Sequence, residues 1–233
     1  VADTAGLEQR LKWVDLLDAE PPVIHPHANN GAVWSTERSC YRFMAELLEP
    51  GSRTLETGVG VSTVLFTAWG CDHLAIVPFA DEVAIIETYC DDHGIDHRSL
   101  EVDLRPSEVA LPRVDRTDLD LVFVDGGHGF PLPVIDWYYG ASLLRKGGVV
   151  VFDDVQLPQV RSLLQMFVDP DPRWERLAGT DKWAAYRRHS AGSLSEGEWM
   201  QPFFPEPPVP LRDRVRAVVP LAVKRRLYAL GIR

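Results

Sequence analysis

Four side chains in this chain of 233 residues stand where types and spacing suit chemistry. The run LDLVFVDGGHGF, residues 119–130, is apolar until it stops on Asp125, and His128 follows after two glycines. A second run, GGVVVFDDV, residues 147–155, stops on Asp153 and Asp154. Three carboxylates drawn together repel by several kcal/mol unless a cation or a proton intervenes. Oxygen-only donors suit a hard ion, Mg²⁺ first, with Mn²⁺ or Ca²⁺ as alternatives. The plainer role for strand-end aspartates is to cap the next helix or loop. His128, with a side chain that titrates near neutral pH, is a candidate proton acceptor, or a cap for the helix after it.

A second motif, LETGVGVST at residues 55–63, follows an apolar run and opens a helical one. Gly58 and Gly60 allow a tight turn and close approach of a ligand. A dinucleotide fingerprint would place a third glycine where Thr63 stands, and a phosphate-binding lysine is missing. Glu56 suits a cationic ammonium group better than a pyrophosphate. A tight strand-to-helix turn with no ligand is the alternative.

These residues need a scaffold that brings strand ends side by side. From residue 53 the sequence alternates Val/Ile/Leu-rich runs with helical stretches. Strands are expected at 53–58, 73–79, 99–104, 119–125 and 149–154, with helices at 62–70, 81–94, 131–148 and 157–167. Residues 173–179 and 182–188 look like a closing antiparallel pair. This pattern predicts a mostly parallel sheet with helices on both faces, holding ligands beyond the carboxyl ends of its strands. Glu56, Pro78, Asp103, Asp125, Asp153 and Asp154 all fall at that edge.

Helical periodicity also covers residues 7–18 and 35–49, on either side of the Pro/Asn/Gly-rich loop EPPVIHPHANNGAVW. His25 and His27 in that loop are expected either in a lid over a substrate or as plain loop residues facing solvent. Trp34, Trp137, Tyr138 and Tyr139 are candidates for stacking on a sugar ring, although aromatics at helical spacing more often serve the core. Trp137 and one tyrosine are expected to be buried.

Composition bounds the rest. A 45% hydrophobic and 25% charged chain is ordinary for a globular protein, and no apolar stretch approaches the roughly 20 residues of a membrane helix. The N-terminus is charged and amphipathic, unlike a secretory signal. Cys40, Cys71 and Cys90 lack paired or metal-type spacing, which fits a reducing cytoplasm. A net charge of −10 argues against nucleic acid as a partner. The charge is uneven: residues 211–233, beyond the proline-rich linker 201–210, carry seven basic residues and one acid. That apolar-basic tail is expected to be helical, docking on the acidic body, on a second copy in a homo-oligomer, or peripherally on an anionic membrane. The expected organisation is residues 1–50 as N-terminal helices and substrate lid, 51–190 as the core, and 191–233 as linker and basic helix.

The glycine turn together with DLVFVDGGHGFPLPVIDWYYGASLLRKGGVVVFDDV, residues 120–155, resembles the class I S-adenosylmethionine-dependent methyltransferases. Within them it is most similar to the metal-dependent O-methyltransferases of catechols and antibiotic sugars, over roughly residues 35–190. The resemblance implies a Rossmann-like doubly wound α/β sheet, mostly parallel, of seven strands with an antiparallel closing strand. It implies that the turn wraps the methionine end of S-adenosylmethionine, with Glu56 serving the amino group. Further cofactor contacts would come from Thr57, Gly58, Gly60, Ser62, Thr63, Pro78, Ser107 and Asp125.

Asp125, Asp153 and Asp154 match the family's metal-ligand positions, where Mg²⁺ (or Mn²⁺ or Ca²⁺) holds the acceptor hydroxyl and lowers its pKa. His128 stands where catechol-type enzymes carry a lysine base; contact with the adenine is the alternative. Two departures are visible. The second strand ends on Val77 and Pro78 in place of the acid that holds the ribose, and Pro106 replaces a common aspartate while Ser107 is kept. Asp81 and Asp103 are candidate substitutes. The DG-x-H and DD strand ends favour a sugar or polysaccharide hydroxyl as acceptor over a phenolic one. A binding module that keeps the fold without catalysis is the other class of reading.

Overall fold

The computed structural model of the chain describes residues 4–25 and 34–194. One sheet has the strand order β3-β2-β1-β4-β5-β7-β6. Its strands are β1 (Arg53–Thr57), β2 (Asp72–Ile76), β3 (Leu100–Asp103), β4 (Leu119–Val124), β5 (Leu144–Phe152), β6 (Trp174–Gly179) and β7 (Ala184–Arg188). Pairing from β3 across to β5 is parallel, and β7 runs antiparallel to both β5 and β6. This is the doubly wound sheet with an antiparallel closing strand that the sequence predicts.

The apolar runs are continuous because both faces are covered. Along β4, Leu121 and Phe123 face the cluster that holds Val64, Leu65 and Phe66 of α3 (Val61–Ala68). Val122 and Val124 face the opposite cluster, with Trp137 and Ala141 of α6 (Leu132–Ser142) and Val160 of α7 (Pro158–Leu163). The α3 side is extended by Val83, Ile86 and Cys90 of α4 (Ala80–Asp92). Val14 and Leu17 of α1 (Thr4–Ala19) and Met44 of α2 (Arg38–Leu47) join the same cluster, so the N-terminal helices share the core of the sheet. The short α5 (Ser107–Ala110) leads through a 3-10 turn into the loop before β4. All three cysteines are buried and free. Among the described residues no helix is long and apolar enough to cross a membrane.

The structure corrects the expected helix 131–148. α6 stops at Ser142, and β5 begins at Leu144, five residues earlier than the apolar run. Two glycines make that possible. Gly147 has φ +83, and a Cβ on Gly148 would lie 2.8 Å from the carbonyl oxygen of Leu119 on β4. Pairing with β4 thus recruits the polar Arg145 and Lys146 into a strand that periodicity assigns to helix. The helix expected at 157–167 is α7 followed by a π-helical turn, Leu164–Val168. Trp137 is buried as expected; Tyr138 is half-buried and Tyr139 exposed. His27, the proline-rich linker and the basic tail lie outside the described residues.

Candidate active site

Register decides which strand ends meet. Thr57 pairs with Val124, and Val124 with Phe152, so Gly58, Asp125 and Asp153 leave the sheet side by side. The Asp153 amide donates to the carbonyl of Val124 at 3.1 Å, fixing the two acids one strand spacing apart. Strand order reverses between β1 and β4, where a crevice must open. A cleft of about 730 Å³ lies there, a size suited to a small-molecule ligand.

Only one glycine of the turn is sterically required. Gly58 has φ +85, and a Cβ there would sit 2.5 Å from the backbone oxygen of Asp125. Gly60 has extended backbone, and a Cβ on it would meet nothing closer than 3.9 Å. Glu56, expected against an ammonium group, does not line the cleft. It is buried behind the turn, accepting from Ser62 Oγ at 2.7 Å and from Thr63 Oγ1, with His73 Nε2 at 3.1 Å. Its carboxylate ties β1, β2 and α3 together, and reaches the cleft through Ser62. Thr63 also lies behind the wall, donating to Glu56 and accepting from the Gly60 amide. Thr57, Gly58, Gly60, Ser62, Pro78, Ser107 and Asp125 line the cleft.

Two of the three acids expected as metal ligands are held by neighbouring side chains. Asp153 is buried, with Oδ1 accepting from Thr36 Oγ1 at 2.5 Å and Oδ2 lying 3.0 Å from Lys182 Nζ. Lys182 Nζ also donates to Asp154 Oδ1, which takes a further hydrogen bond from Gln156 Nε2 at 2.7 Å. Asp154 Oδ2 lies 2.8 Å from His128 Nε2. Asp154 holds φ +53, a left-handed backbone that aspartate tolerates better than most residues and that points its carboxylate back toward β4.

These contacts separate the acids electrically. The hydrogen bond from His128, with those from Lys182 and Gln156, holds the Asp154 carboxyl well below the usual range against its burial. Burial and the neighbouring charges of Asp153, Glu56 and Asp154 push Asp125 well above it. Burial raises Asp153 too, opposed by Thr36 and Lys182. Lys182 is raised: its burial works the other way, but the hydrogen bond to Asp154 and the charge of Asp153 outweigh it.

The ammonium group of Lys182 bridges two of the expected ligands, Asp153 and Asp154. Among the described residues the ligand atoms that do converge, within 4.8 Å of one another, belong to Asp125, His128 and Asp154. Lys182 and Thr36 carried no signal in the sequence. Lys182 sits in the turn before β7, far along the chain, and only the antiparallel pairing of β7 with β5 returns it to this edge.

At the other end of the cleft Val77 and Pro78 supply no carboxylate. Neither proposed substitute lines the cleft, and Asp103 is spent on Arg105, its Oδ1 2.8 Å from Nε. Glu82, in the first turn of α4, lines it instead. Its Oε1 is 2.9 Å from His25 Nδ1, and the His25 ring packs 5.2 Å from that of Trp34. His25 thus belongs to the cleft wall. Behind Gly126, buried Asp136 has no hydrogen-bond partner for either oxygen. Burial pushes its carboxyl up to about 6, partly offset by the nearby hydroxyls of Ser107 and Thr57.

Residues 55–155 match the family described as a methyltransferase domain. That stretch is similar to a methyltransferase domain. Solved structures extend the likeness beyond it. The cofactor-bound protein Rv0187 from MTB is 22% identical, with 82% of this chain and 93% of that one covered and a TM-score of 0.52. An S-adenosylmethionine-dependent O-methyltransferase from Thermotoga maritima is 19% identical over 72% of this chain and 71% of its own, with a TM-score of 0.52. TomG, an O-methyltransferase of tomaymycin synthesis from Streptomyces achromogenes in complex with SAM, is 17% identical, covers 82% and 92%, and has a TM-score of 0.54. At such identities the likeness carries the fold, which is that of the S-adenosylmethionine-dependent methyltransferases. Curated protein sequences gave no significant match.

The cleft holds residues that fit a cationic donor. Asp125 is an acid lifted by burial and by the negative charge of its neighbours, and it faces the cleft beside Gly58 and Ser62. A cationic amino-acid end relieves that charge.

Proposed function

We propose that this chain is an S-adenosylmethionine-dependent O-methyltransferase acting on a hydroxyl of a sugar or polysaccharide. The observation that carries the reading is the His128–Asp154 pair at the wall of a cleft whose floor is the glycine turn. S-Adenosylmethionine supplies, when bound, an electrophilic methyl group that passes to the acceptor oxygen while the carbon–sulfur bond electrons return to sulfur. Asp125 and Ser62 hold the amino-acid end, and Ser107, beside Pro106, lines the cleft where the adenine would lie. His128 takes the acceptor's proton: with Nε2 tied to Asp154, Nδ1 is the accepting nitrogen, and the carboxylate stabilises the imidazolium that forms. Asp154 thus orients the base, and Asp125 keeps the donor's charge in place.

Two features support a sugar acceptor. The Trp34 ring lines the cleft at 62% exposure, a face for a sugar ring to stack on, and the strand ends read DG-x-H and DD. A phenolic hydroxyl is the second choice of acceptor, since the same indole stacks on it too. A divalent-ion version of the reading would draw on Asp125, His128 and Asp154, and it would require Lys182 to leave Asp154.

Two measurements test the reading. Calorimetry with S-adenosylhomocysteine should show stoichiometric binding; no heat at millimolar ligand would leave a binding module of another kind. A screen of sugars, glycans and phenols with methyl-labelled S-adenosylmethionine should label sugars first, and labelling of phenols alone would move the acceptor class.

A further inference from the structure

The cation of this site is already part of the chain. Lys182 Nζ is within hydrogen-bond distance of Asp153 Oδ2 and Asp154 Oδ1, and it lines the cleft with 27% of its side chain exposed. Asp153 Oδ1 is taken by Thr36 Oγ1, so both oxygens of that acid are engaged. Asp154 is engaged on both oxygens as well, by Lys182 and Gln156 on one and by His128 on the other. A divalent ion bound by the expected triad would have to strip at least the lysine from both acids and then share the space with its charge. At the few ångströms involved, a 1+ and a 2+ charge repel strongly in a partly buried site. The two consecutive carboxylates already share one ammonium group.

We propose that Lys182 replaces the divalent metal: its ammonium group bridges Asp153 and Asp154, offsets part of their charge and offers its remaining N–H to the acceptor oxygen, so that the site works without a bound ion. The proposal rests on the methyl-transfer reading for what the cation acts upon, though not for the cation itself. An ammonium is a point charge with three donors. Two are spent on the aspartates, and the third serves the oxygen that gains negative character as its proton goes to His128. Residue 182 thereby ties the catalytic edge to the antiparallel strand β7, an element that contributes nothing to the cofactor turn.

The test uses the full-length chain saturated with S-adenosylhomocysteine and titrated with Mn²⁺, the free ion being followed by electron paramagnetic resonance. The parent protein should take up no Mn²⁺ at millimolar concentration. Lys182→Ala, which strips the charge from the acidic pair, should gain Mn²⁺ affinity by roughly tenfold or more, whereas Lys182→Arg should continue to exclude the ion. Stoichiometric Mn²⁺ uptake by the parent overturns the proposal, and so does an alanine variant that folds and gains nothing. If Lys182→Ala fails to fold, Lys182→Gln serves in its place, and the parent titration decides by itself. Should the parent give no heat with S-adenosylhomocysteine, the methyl-transfer reading falls, while the Mn²⁺ result still decides whether Lys182 is the resident cation.

Discussion

His128 Nε2 and Asp154 Oδ2 lie 2.8 Å apart, joining the histidine after β4 to the second carboxylate after β5. Neither strand end holds a base and its orienting acid alone; the parallel pairing of β4 with β5 brings them together. With an acceptor in hand, His128→Gln should lower kcat by about 10²–10⁴-fold, the usual worth of a positioned general base. S-Adenosylhomocysteine affinity should be unchanged within about twofold. Equal losses in kcat and in ligand affinity would show that His128 serves the cofactor instead.

Asp154 tests the orienting half of the pair. Asp154→Asn keeps a residue type that accepts φ +53 but weakens its hold on an imidazolium. It should preserve folding while lowering kcat. Asp154→Ala adds a backbone cost of about 1 kcal/mol, visible in the urea midpoint. Equal activity in the asparagine variant and the parent would remove Asp154 from the mechanism.

Gly58 and Gly60 should respond differently to the same substitution. Gly58→Ala places a methyl 2.5 Å from the Asp125 carbonyl at a positive φ and should cost ~2 kcal/mol or more, with loss of S-adenosylhomocysteine binding. Gly60→Ala should fold with nearly parental stability. Denaturant titration of the two variants side by side checks the contrast.

Glu82 occupies the wall where the second strand supplies no acid. Glu82→Gln should weaken S-adenosylhomocysteine binding about tenfold, the worth of a lost charge-assisted hydrogen bond. His25→Ala, which frees Glu82 Oε1, should weaken it by less. Calorimetric affinities equal to the parent's would show that Glu82 merely anchors the N-terminal segment.

Asp136 gives the protein a pH dependence of known sign. Its folded-state value of about 6 lies above the ~3.9 of an unfolded aspartate. The folded state therefore holds the proton more tightly, and this contribution to stability is present below the unfolded value and lost as pH rises through about 6. Its full size is roughly 2–3 kcal/mol. Asp136→Asn should flatten the fall in urea midpoint between about pH 4 and pH 6 and make the variant the more stable protein at neutral pH. Parallel pH profiles for parent and variant would exclude a raised carboxyl.

The sequence by itself determined the layers and the edge. Continuous apolar runs between helical stretches leave little choice but a buried parallel sheet, and the residues that end those runs must emerge where such sheets bind ligands. Asp125, His128, Asp153 and Asp154 were legible for that reason. The tertiary structure decided how they are used. The side chains of Glu56 and Thr63 turn behind the glycine loop because His73 on β2 and Ser62 on α3 draw the carboxylate inward. Lys182 enters the site only because β7 pairs with β5, and Glu82 only because the first turn of α4 leans over the end of β2. Local spacing records where a chain leaves a strand. It carries no record of which distant charge comes back to meet it, since that depends on contacts between segments far apart along the chain.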